Sequence, residues 1–505
     1  MHRNSIAAAR RTCVLLCAVV LLAGCASIGQ LLSKPGVETP ATSGLPPEQQ
    51  IPMLSQQAHE QQASGDFWGA AQTRAQLSPL LTGAQRANNE REIGTLLASL
   101  GKDQLKSRYD SLPAGDPLKP YARTALEQLG VILPRELPQL DHPVGTQIGE
   151  GNAAHREGYA MPTQIALLLP TEGALAVPAS AVREGFFTAY FDDKSDSPRP
   201  AVRSYDSGGT PAQSLAAYKQ AVNDGAQLVI GPLGRDGVAA MFAQGSLPVP
   251  LLALNHPDNN VPPPAGSAEF GLLPESEGAQ AAARMSERGI NQAIVFLTGD
   301  DRSRRAAAAF KAQFESLGGQ VTSQAELPAG NVDYSDQIKA ALATAGDGSG
   351  ILLLLRAQTA RLLMPQLKLA GTTQPVFATS LVYGGGDSAD ADRDLDGVEF
   401  CDAPWLFDAQ PGLPDHGVIA AQLPDARNAA ARLFAFGMDA YALAPYLDWL
   451  RSHPGTYLPG ATGQLTEDDQ GRVHRVPIWV GFQNGIARPV AAGMDSAPAS
   501  ASSTQ

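Results

Sequence analysis

From Met161 onward, short unbroken apolar runs alternate with amphipathic stretches, and no other feature of this sequence restricts its fold as strongly. Ile165-Ala166-Leu167-Leu168-Leu169 is an apolar run of strand length that stops at Pro170. A helical pattern follows from Ala179 to Tyr190, then a strand from Ala201 to Tyr205. The next helix runs from Pro211 to Asp224, with Thr210 at its N-cap, Pro211 in its first turn and Gly225 past its end. Further strands fall at 227–230, 249–254, 293–297, 320–327, 351–355 and 376–379, with helices at 234–242, 275–288, 303–317, 334–344 and 359–370. A strand covered by helices on both faces reads as one continuous apolar run, so the series predicts parallel sheets. The units are too many for one sheet, and the Pro-rich stretch 255–267 splits them into two comparable halves. The prediction is an α/β fold of two doubly wound lobes over 161–490, with a ligand cleft at the C-terminal strand ends. A helix over about 427–451 and a hairpin joining 472–477 to 478–482 complete it.

The N-terminus gives an address. Arg3, Arg10 and Arg11 precede an apolar run from Cys13 to Ala23, and no acid interrupts them. A run of about eleven residues has the length of a signal-peptide core and is too short to span a bilayer. It ends in Leu22-Ala23-Gly24-Cys25, a bacterial lipobox. Residues 1–24 are then a lipoprotein signal peptide, and Cys25 carries the lipid that anchors the chain. Ala26, rather than Asp, follows the cysteine, which resembles lipoproteins sorted to the outer membrane and facing the periplasm. Residues 25–46 are a lipidated tether rich in Ser, Pro, Gly and Thr, with a fully extended reach of roughly 70 Å.

Residues 47–133 carry helical periodicity. Leu118, Tyr121, Ala122, Ala125, Leu126 and Leu129 share one face, with Asp116 as N-cap and Pro117 in the first turn. Short helices separated by Gly, Pro and Asp turns suggest a small all-α, tetratricopeptide-like domain, without a clean repeat of about 34 residues. Residues 134–160 lack pattern and read as a linker, and 491–505 as a disordered Ala/Ser-rich tail.

Charge excludes some partners. The net charge is −13, and removing the three arginines of 1–24 takes it to −16. Nucleic acid is a poor partner for such a chain. Of four cysteines, Cys13 and Cys17 leave with the signal peptide and Cys25 is acylated. Cys401 is left alone, so no intrachain disulfide forms, and its place in Val398-Glu399-Phe400-Cys401 predicts a buried strand thiol.

Catalytic constellations are not evident. The eight histidines share no metal-ligand spacing. Ser99-Leu100-Gly101-Lys102 matches SxxK with no KTG to complete it. Asp392-Arg393-Asp394-Leu395-Asp396-Gly397 starts like a calcium loop but places Ala403 where a bidentate Glu is needed. No metal and no cofactor is expected. The candidate cleft residues are Thr171, Ser207 and Thr210 on first-lobe loops, with Arg302 and Arg304 (beside Arg305) opening a second-lobe helix toward an anionic ligand.

Several stretches stand out in order: 165–170, 229–233, Leu252-Ala253-Leu254-Asn255, Phe270-Gly271-Leu272, 377–380, 394–398, Pro404-Trp405-Leu406, 432–435 and Gly437-Met438-Asp439-Ala440-Tyr441. Together they resemble the LpoA/LppC family of outer-membrane lipoproteins. The resemblance implies a type I periplasmic-binding-protein-like domain preceded by a tetratricopeptide-like one. It also implies a non-enzyme that binds the docking domain of a class A bifunctional penicillin-binding protein and stimulates its transpeptidation, and so cell-wall growth. The family offers no catalytic residues to carry over. The helical region here is short for the family. The alternative is a solute-binding or sensing lipoprotein with a small polar ligand between the lobes.

Overall fold

The computed structural model describes residues 46–144, 157–195, 197–346, 348–386 and 389–490. Cys25 with its flanking segments and the tail 491–505 lie outside the described residues.

The apolar runs become strands because burial on two faces removes every side chain from water. Strands β1 (His142–Pro143), β2 (Gln164–Leu169), β3 (Ala201–Asp206), β4 (Leu228–Ile230), β5 (Leu251–Ala253) and β6 (Ala268–Phe270) open the first lobe. Strands β7 (Gln292–Thr298), β8 (Gln320–Leu327), β9 (Ser349–Leu354), β10 (Val376–Ala378) and β11 (Val398–Asp402) form the second. The chain then returns to the first lobe with β12 (Thr456–Pro459), β13 (Gln464–Glu467) and β14 (Arg472–Val476). It ends in the second with β15 (Ile478–Gln483) and β16 (Ile486–Pro489). The first sheet runs β1-β12-β13-β14-β6-β5-β4-β2-β3, and the second β16-β15-β11-β10-β9-β7-β8. The early strands pair in parallel, and the late returns bring in the antiparallel pairs β12/β13, β13/β14, β11/β15 and β15/β16. The predicted two-lobed α/β architecture is therefore present. The chain crosses between lobes three times: after β6, between β11 and β12, and at Pro477.

Three expectations need correction. The Pro-rich stretch 255–267 is not the lobe boundary, because β6 follows it and still pairs with β5 and β14 in the first sheet. Its sequence, Ala268-Glu269-Phe270, hides the strand: a buried Glu269 sits at its centre, balanced by His256 at 2.7 Å and Arg472 at 3.2 Å. The segments 472–476 and 478–483 are not a hairpin, since β14 pairs with β13 and β6 while β15 pairs with β11 and β16. One residue, Pro477, is too short for a hairpin turn, which needs two. The helix over 427–451 is two helices, Ala431–Leu443 and Leu447–Ser452, because Pro445 has no N–H to continue the ladder.

Helix Ala431–Leu443 packs on helix Ala176–Asp192 backbone to backbone. A Cβ on Gly185 would sit 1.9 Å from the Phe434 carbonyl oxygen, and one on Gly437 would sit 2.0 Å from that of Val182. Around this contact Val182, Phe186, Phe436 and Tyr441 build the first-lobe core with β2, β4 and β6.

Helices Pro47–Ala63, Phe67–Leu77, Gly83–Ala98, Lys102–Asp110 and Lys119–Gln128 precede the lobes. Ile93, Leu97, Leu105, Leu118 and Leu126 make their core. The last helix begins two residues later than predicted, because Asp116 Oδ1 accepts the Leu118 N–H at 2.8 Å in a separate turn. This helical arm touches both lobes. Glu127 meets Arg472 of β14 at 3.3 Å, and Thr124 meets Gln470 at 3.1 Å. The Arg135 backbone N–H donates to Gln313 of the second lobe at 2.8 Å. Within the stretch expected as a linker, β1 pairs with β12 at the edge of the first sheet.

Candidate functional site

The three crossings converge on a set of buried charges that join the lobes. Glu277 lies in helix Pro274–Glu287, which packs in the second lobe, and Arg475 lies on β14 of the first. Arg475 Nη2 donates to Glu277 Oε1 at 2.5 Å, with both side chains nearly excluded from solvent. Glu277 also accepts the Ser380 N–H at 3.1 Å and its hydroxyl at 2.8 Å. Burial works against its charge, but Arg475, then Arg302 and the Ser380 hydroxyl, outweigh it and hold the carboxyl below its usual range.

A second pair lies beside it. Arg432, on helix Ala431–Leu443, donates from Nε to Asp402 Oδ1 of β11 at 2.8 Å. Its Nη2 donates to the Ser380 and Tyr383 carbonyl oxygens at 2.9 and 3.0 Å. Asp439, two turns further along that helix, accepts the Ala461 and Thr462 N–H groups at 2.5 and 2.8 Å and so fixes the loop before β13. Removing one partner of a buried ion pair costs about 3–5 kcal/mol, so these contacts hold one relative position of the lobes.

The candidates taken from sequence divide between two places. Thr171 donates its N–H to Asp206 Oδ1 at 3.1 Å and lines a 90 Å³ cavity within the first lobe. The Ser207 carbonyl oxygen accepts the Ser214 hydroxyl at 3.0 Å. Thr210 accepts the Gln213 N–H as N-cap of helix Pro211–Asn223. All three serve the loops at the strand ends of the first lobe, Thr171 across β2 and β3 and the other two at the start of helix Pro211–Asn223. In the second lobe, Arg304 pairs with Glu326 at 3.1 Å on the surface, and Arg305 pairs with Glu275 at 2.6 Å. Arg302 turns inward: burial chiefly lowers its pKa, Glu277 opposes, and Arg432, Arg475 and Arg356 add to the lowering. No hydrogen bond or ion pair joins Arg302 or Arg304 to the three first-lobe candidates among the described residues. Glu277, Arg475, Asp402 and Arg432 were not anticipated, since partners 198 positions apart, such as Glu277 and Arg475, leave no local pattern.

Other motifs have plain structural occupations. Asp392 of the calcium-like loop is held by Arg361 at 2.8 Å, and Asp396 accepts the Gly485 N–H at 2.8 Å. The Ser99 hydroxyl donates to the Thr95 carbonyl oxygen at 2.9 Å. Cys401 is fully buried in β11, and burial pushes its thiol pKa well up. Among the described residues no cluster of His, Cys, Asp and Glu fits a metal, and no helix is long and apolar enough to cross a membrane.

Residues 158–485 match the family described as LppC putative lipoprotein. A penicillin-binding protein activator LpoA from Photobacterium profundum is 27% identical over 415 residues, covering 77% of this chain and 63% of that one. The chain thus spans less than two thirds of the length of such a relative. Among solved structures, full-length LpoA from Haemophilus influenzae superposes with a TM-score of 0.56 at 21% identity, covering 88% of this chain and 82% of that one. A putative branched-chain amino acid ABC transporter from Chromobacterium violaceum gives a TM-score of 0.51 at 26% identity, covering 63% of this chain and all of that one.

Proposed function

The chain belongs to the LppC putative lipoprotein family, and we propose on that footing that it is an outer-membrane lipoprotein that activates a class A penicillin-binding protein. The observation that carries this reading is the family match over residues 158–485, together with a relative named as a penicillin-binding protein activator. The lobe junction supports it. Charges of the protein itself, Glu277 with Arg475 and Asp402 with Arg432, tie the lobes together, as suits a scaffold that presents a fixed surface. Lipid on Cys25 holds the chain at the outer membrane, facing the periplasm. The protein performs no chemistry: it binds one conformation of the synthase more tightly and shifts it by that difference in affinity.

The test uses residues 26–505 without lipid. The expected result is binding to the periplasmic part of the cognate synthase and a raised rate of peptide cross-linking in vitro. The absence of both binding and stimulation would refute the reading. Two observations favour the alternative of a solute carrier: among the described residues Arg302 has no direct ion pair at the junction, and the fold is shared with a putative branched-chain amino acid ABC transporter. A screen of small carboxylates that raises the melting temperature by several degrees would favour that alternative.

A further inference from the structure

Helix Ala176–Asp192 has two unlike faces. Ala179, Val182 and Phe186 face the core. On the other side, Val177, Glu184, Thr188 and Phe191 follow at helical spacing, with Val177 75% and Phe191 68% exposed. The segment carrying helix His416–Gln422 runs alongside, and between them lies an open groove of 700 Å³ lined by Phe187, Phe191, Pro414, Ile419 and Leu423. Its aromatic floor is held in place. Phe191 stacks on Phe187 and meets Tyr190 edge-on at 5.1 Å, and Tyr190 leans on Tyr441, whose hydroxyl donates to Asp193 at 2.7 Å. A fixed aromatic anchor loses little entropy on binding, which is the property of an interface hot spot.

Charge says what the groove takes. Glu184 lines it, and its Oε2 is buried with no hydrogen-bond partner among the described residues. Burial, and then the nearby Asp425, push the Glu184 carboxyl upward. Arg183 also lines the groove and draws the Glu184 carboxyl partly back down, but its hydrogen bond goes to the Ser180 hydroxyl at 3.4 Å. An apolar floor beside an unsatisfied carboxylate with a second acid next to it calls for apolar side chains followed by a cation.

We propose that this groove is where the synthase docks, receiving an amphipathic segment of that partner whose apolar side chains cover Phe187 and Phe191 and whose lysine or arginine meets Glu184. The inference rests on the function proposed above and adds its contact surface.

The experiment measures binding of residues 26–505 to the periplasmic part of the synthase for the wild type, Phe191→Ala, Glu184→Gln and Leu369→Ala. Leu369 is an 87% exposed apolar residue on the other lobe and serves as the control. Phe191→Ala is expected to weaken binding about thirtyfold, as loss of a hot-spot aromatic does. Glu184→Gln is expected to weaken it about tenfold and to flatten its salt dependence. Leu369→Ala is expected to bind as the wild type does. Val418→Asp, 57% exposed and next in sequence to the groove-lining Ile419, repeats the test should Phe191→Ala alter the melting temperature. Wild-type binding that survives Phe191→Ala, Glu184→Gln and Val418→Asp overturns the groove and leaves the proposed function standing. Failure of the wild type to bind overturns both. Sedimentation in which the wild type is a dimer and Phe191→Ala a monomer assigns the groove to a second copy and overturns the proposal.

Discussion

Glu277 and Arg475 meet at 2.5 Å across the lobe boundary, each nearly dry. Their surroundings are asymmetric. Glu277 also feels Arg302 and Arg432, whereas Arg475 has no second acid in hydrogen-bond contact among the described residues. Glu277→Gln leaves three guanidinium groups facing one another, with Asp402 already paired to Arg432 and Asp439 near Arg475. Arg475→Met leaves a carboxylate that Arg302 still attracts. The first is expected to cost about 3–5 kcal/mol of unfolding free energy and the second visibly less. The double variant is expected to recover part of the loss. Urea denaturation of the four proteins checks this; equal single losses would remove the assigned role of Arg302.

Gly437→Ala tests the helix contact. The added carbon would lie 2.0 Å from the Val182 carbonyl oxygen and 2.9 Å from the Phe186 nitrogen, both backbone atoms that cannot rotate away. The expected loss is about 1–3 kcal/mol, read as a lower urea midpoint. Gly94→Ala is the counterpart, in a helix where nothing lies within 4 Å of the new carbon. It is expected to stabilise by up to about 1 kcal/mol.

Glu467 predicts a pH effect. Its Oε1 accepts from Arg451 at 2.6 Å while Oε2 is buried without a hydrogen-bond partner among the described residues. Burial pushes its pKa to about 7 against the pull of Arg451. The native state therefore keeps a proton that the unfolded chain releases near pH 4.5, and the stability this confers is lost as pH rises toward 7. The difference is on the order of 3 kcal/mol. Glu467→Gln cannot titrate, so its stability relative to the wild type is expected to improve by about that amount between pH 4 and pH 8. Melting curves across that range check it, and a constant difference would contradict the assignment.

Much of the architecture was legible because it is periodic. Ile165 to Leu169 and Ile351 to Leu355 are continuous apolar runs, and both are buried throughout. The N-cap at Thr210 was readable from one residue and its two neighbours. What failed is what periodicity does not encode. Strand β6 has a charged centre that the distant Arg472, together with His256, makes tolerable. Strands β14 and β15 are neighbours in sequence, yet their pairing is decided by β6, β13, β11 and β16.

The site was less legible than the fold for the same reason. Arg302 stood out as one of three clustered arginines, but nothing local showed that it faces the buried Glu277 while Arg304 pairs on the surface and Arg305 takes the half-buried Glu275. The exposed Phe191 lies one residue past the helical pattern read from Ala179 to Tyr190, in the last turn of the helix. Only the placement of Ile419 and Leu423 opposite it makes a groove.

The helical arm holds the first lobe through Glu127 and Arg472 and the second through Arg135 and Gln313. A bracket fixed to both leaves of a hinge removes the hinge's freedom. The direction of the arm and the angle between the lobes are then one variable rather than two. Pulling on the arm strains the hinge, and a partner that seats on the lobes steers the arm.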